Sequence, residues 1–419
     1  MREQPGTTRR APQSTASVER PRQQPSVLFV DRDQDHLASV QVLLSEQAPH
    51  WRVDYASNAD DAIALAQRRP LDVVVTGMAL AGTDGVALLE RVRTLQPHTV
   101  RIVLSGDGDG DEATLQRAIP LAHQWLPRPI EPAQLYAAVD NAITSGALVH
   151  RDDLRAILGN ARALPSLPAV FAEVAQLIAD PEVDIARVTA VVERDPAMAA
   201  RVLQLANCAF YRSERPMASV REAIVRIGLR TLANCVLAAE LFHAVPCGDR
   251  QTAFLLEAIE QRARRQAMLL TKWCELQPDA DRDARELLPT AGLLHEVGAL
   301  VLLRFDPLNH RTALRLAQRS RVPLESLERR LIGTDHARVA GSILGTWGLP
   351  WPLVDLIANH HDADRCYAHT DHCAMLAAAE AFVATPWLLP EFEDKANRHG
   401  WGERFALWSA VAEQVLGTA

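Results

Sequence analysis

Residues 293–302 read LLHEVGALVL. Apart from His295 and Glu296, every side chain here is apolar or absent. That density is expected of a helix buried on most of its sides, and the surrounding apolar spacing predicts one helix over 286–305 with the His295–Glu296 pair on it. The plainest role for such a histidine is a core residue satisfied by local hydrogen bonds.

Outward from this stretch, helix signals continue in both directions. Amphipathic spacing and Pro, Gly and Asp punctuation predict helices over 168–179, 184–194, 198–207, 219–227, 230–245 and 251–276 before it. After it they are predicted over 309–320, 323–332, 335–347, 350–361 and 372–384. Asp184 and Asp195 stand at N-cap positions, directly ahead of apolar-periodic runs. Strand signals vanish from Ala161 onward, so this half is expected to be all-α.

The region before it has a different texture. Short β-rich runs at 27–30, 52–56, 72–76, 101–105 and 124–126 alternate with helical segments at 36–48, 59–69, 86–96, 111–118 and 132–144. Apolar strands alternating with helices predict a doubly wound parallel sheet of five β/α units, covered on both faces. Functional groups are expected at the C-terminal ends of its strands. Residues 1–25 are rich in Pro, Gln, Ser, Thr and Arg and carry too little apolar surface to order, so a disordered tail is expected. Residues 146–160 form an amphipathic helical linker whose Leu148, Leu154 and Leu158 make one stripe, for intramolecular packing or for a dimer seam.

Bulk numbers narrow the class. With 419 residues, 48% hydrophobic and 23% charged, the chain is long enough for two or three globular domains. A net charge of −8 argues against DNA or RNA as a general partner. No apolar run of bilayer length and no secretory leader are read in the sequence, and six cysteines without a disulfide spacing are expected as reduced thiols. A cytoplasmic protein with no membrane partner is expected. Cys366, His369, His372 and Cys373 lack a zinc-finger spacing and are expected on a surface loop. Trp347, Trp351, Trp387, Trp401 and Trp408 are expected as packing anchors.

Residues 26–145 resemble the receiver domains of two-component response regulators, through VLFVDRD, DVVVTGMALAGTDG, VLSG and WLPRPIEP. In that family an acidic pair after the first strand and an aspartate ending the third hold magnesium, and that aspartate accepts the phosphoryl group. A hydroxyl residue and a lysine sense it. The resemblance places the acidic pair on Asp31 and Arg32, with Asp33 beside them, the acceptor on Gly77, the hydroxyl on Ser105 and the lysine on Arg128. Gly82, Asp84 and Gly85 fix this register, and Asp72 would lie at the wrong end of its strand. Glycine has no nucleophile, and the loss of carboxylates removes the hard oxygen ligands magnesium needs. A degenerate receiver is therefore expected, with Arg32 or Arg128 pairing with Asp31 or Asp33 in the vacated pocket. In the family the surface of the fourth helix, fifth strand and fifth helix serves dimerisation and partner contact.

Residues 161–419 resemble the HDOD domain, an all-α relative of the HD and HD-GYP phosphohydrolases. The resemblance rests on LPSLPAV, VVERDPAMAARVLQLANCAFY, AIVRIGLRTLANCVLA, GLLHEVGALVL, GTDHARVAGSILGTWGLP and the NHH at 359–361. It aligns His295–Glu296 with the HD pair, His336, His360 and His361 with later histidines, and Glu380 with a final carboxylate. No histidine lies between His243 and His295, where a first ligand belongs. That helix carries Arg262, Arg264 and Arg265 instead, and a guanidinium cannot bind a metal. The resemblance thus implies a two-domain signalling protein, α/β then all-α, with no catalytic residues, no metal and no cofactor, acting on other signalling proteins and possible as a homodimer. Two alternatives stay open. One is a metal-dependent phosphodiesterase acting on cyclic (di)nucleotides with Fe or Mn at the HD-like site, and the other is a pocket sensing a small anionic ligand beside Arg262.

Overall fold

The protein is described from a computed structural model. It describes residues 24–80, 84–105, 117–118, 121–149, 154, 165–166, 173–174, 177, 183–207, 217–229, 232, 243–244, 250–276, 282–362, 370–386, 389–398 and 402–416. The tail through residue 23, Gly82, most of the helices expected over 111–118, 168–179 and 230–245, most of the linker, Cys366, His369, Trp387 and Trp401 lie outside them.

The first half is the expected α/β unit. Strands β1 (Ser26–Val30), β2 (Arg52–Ala56), β3 (Val73–Gly77), β4 (Val100–Ser105) and β5 (Gln124–Pro127) pair in parallel in the order β2-β1-β3-β4-β5. Every residue of β1 and β3 is buried, as continuous Val/Leu/Phe runs require when a sheet is covered on both faces. Helices α1 (Gln34–Gln47), α2 (Ala59–Arg68), α3 (Gly85–Leu95) and α4 (Pro132–Ala147) supply that cover. The strand order reverses between β1 and β3, which puts the crevice at their C-terminal ends beside Asp31 and Gly77. One strand is less apolar than its run suggests. Arg101 on β4 is fully buried and donates to Leu121 O and Thr99 O at 2.6 and 2.9 Å.

The register expected for the third strand holds. Asp84 caps α3 through Ala87 N–H at 2.7 Å, and Gly85 N–H donates to Met78 O at 2.7 Å. A Cβ at Gly85 would stand 2.4 Å from Gly77 O, so this turn admits only glycine. Asp72 accepts from Ser26 N–H at the opposite end of the sheet.

The second half is helical: α5 (Ile185–Val192), α6 (Pro196–Ala206), α7 (Val220–Ile227), α8 (Arg250–Leu276), α9 (Arg282–Leu294), α10 (Val297–Phe305), α11 (Pro307–Ser320), α12 (Leu324–Leu331), α13 (His336–Thr346), α14 (Trp351–Ala358), α15 (Thr370–Ala384), α16 (Leu389–Arg398) and α17 (Gly402–Leu416). Asp184 and Asp195 cap α5 and α6 as expected. The sequence reading stops at 384 and misses α16 and α17. Against the expectation of no strands, β6 (Pro165–Ser166) and β7 (His243–Ala244) pair in parallel. Two-residue strands are too short to leave a periodic signal. Trp273, unremarked in the sequence, stacks on Trp408 at 5.2 Å and donates to its carbonyl. Cys373 sits in the core on α15 and not on a surface loop.

The largest departure is in the opening stretch. The helix expected over 286–305 breaks at His295–Glu296, which form the turn between α9 and α10. The cause lies across the core. A Cβ at Gly298 would stand 1.9 Å from His336 O, so α10 crosses the start of α13 backbone to backbone. A helix running straight on from α9 has no such freedom to settle there. The segment Leu287–Phe305 is long and apolar enough to cross a membrane, but 89% of its apolar window is buried inside the protein.

The two halves touch through β5, α4 and α13. Gln124 Nε2 donates to Gly345 O and Thr346 O, both at 3.1 Å, at the C-terminal end of α13, where Gly345 O also accepts Gly348 N–H at 3.0 Å. Gln204 Nε2 on α6 donates to His123 O at 3.0 Å. The interface is close because α13 is bare on that side. A Cβ at Gly345 would stand 1.9 Å from Ser145 Oγ, and one at Gly341 3.1 Å from Leu148 Cδ1. Leu148 therefore packs within the chain, and the face formed by β5 and the last receiver helix meets the helical domain.

Candidate functional site

Two clusters are built from the residues singled out by sequence. The first lies at the C-terminal edge of the sheet. Asp31, buried after β1, accepts from Asp33 N–H at 3.0 Å and from His36 Nδ1 at 2.8 Å, and it pairs with the Arg128 guanidinium. The resolved partner is thus Arg128, while Arg32 is exposed and Asp33 caps α1 through Asp35 N–H and His36 N–H. Arg128 N–H donates to Ser105 O at 2.8 Å, which holds it across the mouth of the pocket. Gly77 ends β3 with no side chain, and a Cβ there would meet Arg128 Nη2 at 3.1 Å. The guanidinium thus stands where a cation between Asp31 and position 77 would stand. His36 is a pocket residue that the sequence reading missed, because on paper it is an unremarkable polar position of an amphipathic helix.

Burial pushes the Asp31 carboxyl up, but the His36 and Asp33 hydrogen bonds and the Arg128 charge outweigh it and hold it below the usual carboxylate range. Taking away a cation disfavours the ionised form. In Arg128→Met the Asp31 carboxyl therefore titrates at higher pH than in the parent, which carboxyl carbon NMR reads directly. An unchanged titration would remove Arg128 from the pocket.

The second cluster lies where α8, α9, α10, α12, α13, α14 and α15 converge. Arg262 on α8 holds Glu296 with two hydrogen bonds, Nε to Oε1 at 2.6 Å and Nη2 to Oε2 at 3.1 Å. Arg264 turns away toward Glu260 at 3.7 Å, and Arg265 is exposed, so the three arginines do not form one face. The Arg262 charge, with its hydrogen bonds, overcomes the upward push of burial and lowers the Glu296 carboxyl.

His295 is fully buried, and its Nδ1 donates to Gly292 O at 2.9 Å. His336 heads α13, where Asp335 is the N-cap, and its Nδ1 donates to Glu328 Oε2 at 2.7 Å. Glu328 is fully buried on α12, also accepts His336 N–H at 2.9 Å, and has His310 Nδ1 at 3.1 Å from its other oxygen. His360 Nδ1 donates to Ile357 O at 2.6 Å. His361 Nε2 lies 3.0 Å from His336 Nε2, and Glu380 Oε2 lies 3.3 Å from His360 Nε2 and 3.6 Å from His361 Nδ1. His336, His360, His361 and Glu380 offer one ligand atom each, all within 4.8 Å of one another.

Glu328 and His310 are the site residues that sequence reasoning missed. Glu328 sits in LESLERRL, whose charges read as a solvated helix face, and only the fold reveals that it points inward. Burial works against a charge on His336, but Glu328, by charge and hydrogen bond, backed by Glu380 and Glu296, pushes the ring up to about 10. Burial lowers His295 to about 4. Glu328 and Glu380 are both held low, the imidazoles around them outweighing burial.

The family comparisons match this architecture. The response regulator receiver domain matches residues 27–140, and the HDOD domain matches residues 164–363. An uncharacterized protein of Treponema pallidum is 23% identical over 199 residues, covering 48% of this chain and 38% of the relative. The hydrogenase transcriptional regulatory protein HoxA of Cupriavidus necator is 32% identical over 134 residues, covering 31% of this chain and 27% of HoxA. The chain thus spans well under half the length of these relatives. Among solved structures, the MmoQ response regulator of Methylococcus capsulatus is 25% identical, covering 61% of this chain and 98% of that one, with a TM-score of 0.45. A virulence factor of Campylobacter jejuni is 19% identical over 64% of this chain and 98% of its own, with a TM-score of 0.48. With the sheet order, the pocket around Asp31 and the helical histidine cluster, the two family matches make the chain a response-regulator-like signalling protein, a receiver domain followed by an HDOD domain.

Proposed function

We propose that this protein signals without aspartyl phosphorylation and without catalysis, through contacts with other signalling proteins. The observation that carries the reading is the trio Gly77, Arg128 and Asp31. No carboxylate stands at the end of β3, and the position a phosphoryl-binding cation would need is taken by a guanidinium paired to the remaining acid. An arginine donates hydrogen bonds but accepts no phosphoryl group and holds no magnesium. The face that receivers of this type offer to partners is spent here on the HDOD domain, through Gln124, Ser145 and Leu148. Information therefore passes within the chain first, and partners engage other surfaces.

Incubation of the full-length protein with acetyl phosphate and magnesium, followed by intact-mass analysis, is expected to leave the mass unchanged. An added phosphoryl group mapped to any aspartate of residues 26–145 would overturn the receiver half of the reading. A phosphodiesterase is disfavoured by the HDOD site itself. Arg262 takes both Glu296 oxygens, leaving neither to bridge two metal ions around an attacking water.

A further inference from the structure

The histidine cluster raises a question that hydrogen bonding alone does not answer. In His295 and His360, Nδ1 faces a backbone carbonyl, which only accepts, so Nδ1 must carry the proton. His336 Nδ1 likewise faces the Glu328 carboxylate. In their neutral forms all three rings then present a bare Nε2 lone pair. The Nε2 atoms of the fully buried His295 and His360 have no hydrogen-bond partner among the described residues. His360 Nε2 faces Glu380 Oε2, a second acceptor, at 3.3 Å. Two acceptors held that close in a buried site need a proton or a metal ion between them.

The charge balance points the same way. Three buried or nearly buried carboxylates, Glu296, Glu328 and Glu380, converge here; Arg262 neutralises Glu296 and the His336 ring pairs with Glu328, which leaves Glu380 facing His360 and His361. The spacing fits an ion as well. A divalent ion bound by imidazole nitrogen at about 2.0 Å in tetrahedral geometry keeps neighbouring ligand atoms roughly 3.3 Å apart. Here the His361–His336 and His360–Glu380 pairs stand at 3.0 and 3.3 Å. The other ring nitrogens of His336 and His360 are already held by Glu328 and Ile357 O, the outer contacts that fix tautomer and orientation in metal-binding histidines.

We infer that His336, His360, His361 and Glu380 form a mononuclear site for a divalent transition-metal ion of zinc-like character. Three imidazoles and one carboxylate suit such an ion and not magnesium or calcium. Four protein ligands close the coordination sphere, the arrangement of a structural or sensory ion and not of one that must keep a place for water. The expectation of no metal rested on the missing histidine of α8, and that absence affects only the side of the cluster at Glu296. There the Arg262 guanidinium supplies the positive charge, so the site takes one ion and not two.

The test uses full-length protein stripped with a chelator and titrated with Co²⁺ and, separately, Zn²⁺. One equivalent per chain is expected by elemental analysis, with the visible absorption of four-coordinate cobalt. His361→Gln changes a ligand at the rim of the cluster, and Glu328→Gln changes only the outer contact of His336. Each is expected to weaken binding, Glu328→Gln by about 10- to 100-fold, with circular dichroism checking that both remain folded. Should both variants unfold, Glu380→Gln takes their place. No bound ion, two equivalents, or one equivalent held equally well by the folded variants would each overturn the proposal.

Discussion

Arg262→Ala is expected to lower the unfolding free energy by about 3–5 kcal/mol, the cost of leaving a buried carboxylate without its partner. Glu296 is only 7% exposed in its side chain and receives both its strong hydrogen bonds from Arg262. It sits in the turn between α9 and α10, so the unpaired charge falls at the joint of the helical core. Glu296 then either takes up a proton or draws water into the site, and each route costs stability. Arg262→Lys should recover only part of the loss, since an ammonium cannot span two oxygens in a planar fork. Arg265→Ala, on the exposed side of the same helix, is expected to stay within about 0.5 kcal/mol of the parent. Chemical denaturation of the three variants decides the matter. If Arg262→Ala and Arg265→Ala lost the same small amount, the ion pair would be a surface contact and not the keystone of the joint.

Gly298→Ala is expected to be at least as damaging, about 3 kcal/mol or more, at the upper end of what overpacking costs. The added methyl meets His336 O at 1.9 Å and Ala340 N at 2.8 Å, backbone atoms that no rotamer change can move aside. α10 and α13 must separate, and His336 must move with its helix. Gly146→Ala is the natural comparison. It lies in α4 with no atom within 4 Å of a built Cβ, so the same substitution there should stabilise by about 0.5–1 kcal/mol through helix propensity. Thermal unfolding of the pair should move in opposite directions. A neutral Gly298→Ala would mean that the two helices are not held in backbone contact.

These two positions also mark how far the sequence could be read. The strands of the receiver were legible because Val, Leu and Phe in unbroken runs leave no alternative to a doubly covered parallel sheet. Gly77 and Arg128 were legible because motif residues on both sides pinned their register. The break at His295–Glu296 was not, since nothing in LLHEVGALVL forbids a continuous helix and its cause is Gly298 meeting a backbone some forty residues on. Arg262 was placed correctly opposite the His–Glu pair, but its separation from Arg264 and Arg265 depended on which way one helix faces. Glu328 was invisible, because its burial is decided by α11 and α13 closing over it. Local pattern shows which residues can be buried, and the pairing of charges becomes visible only once distant helices have met.

Helix α13 carries a consequence for the protein as a whole. Its first residue is His336, and its last carbonyls are held by Gln124 from the receiver sheet. Between them, Gly341 and Gly345 leave a strip of naked backbone that Leu148 and Ser145 meet on one side and Ala358 and Val354 of α14 on the other. Severed from its receiver, the HDOD half would expose the side of that strip covered by Leu148 and Ser145 and lose the Gln124 amide from its last carbonyls. The receiver domain therefore packs on the same helix that carries His336 at its head. One helix thus serves both domains, seated against the receiver at its end and opening into the histidine cluster at its start.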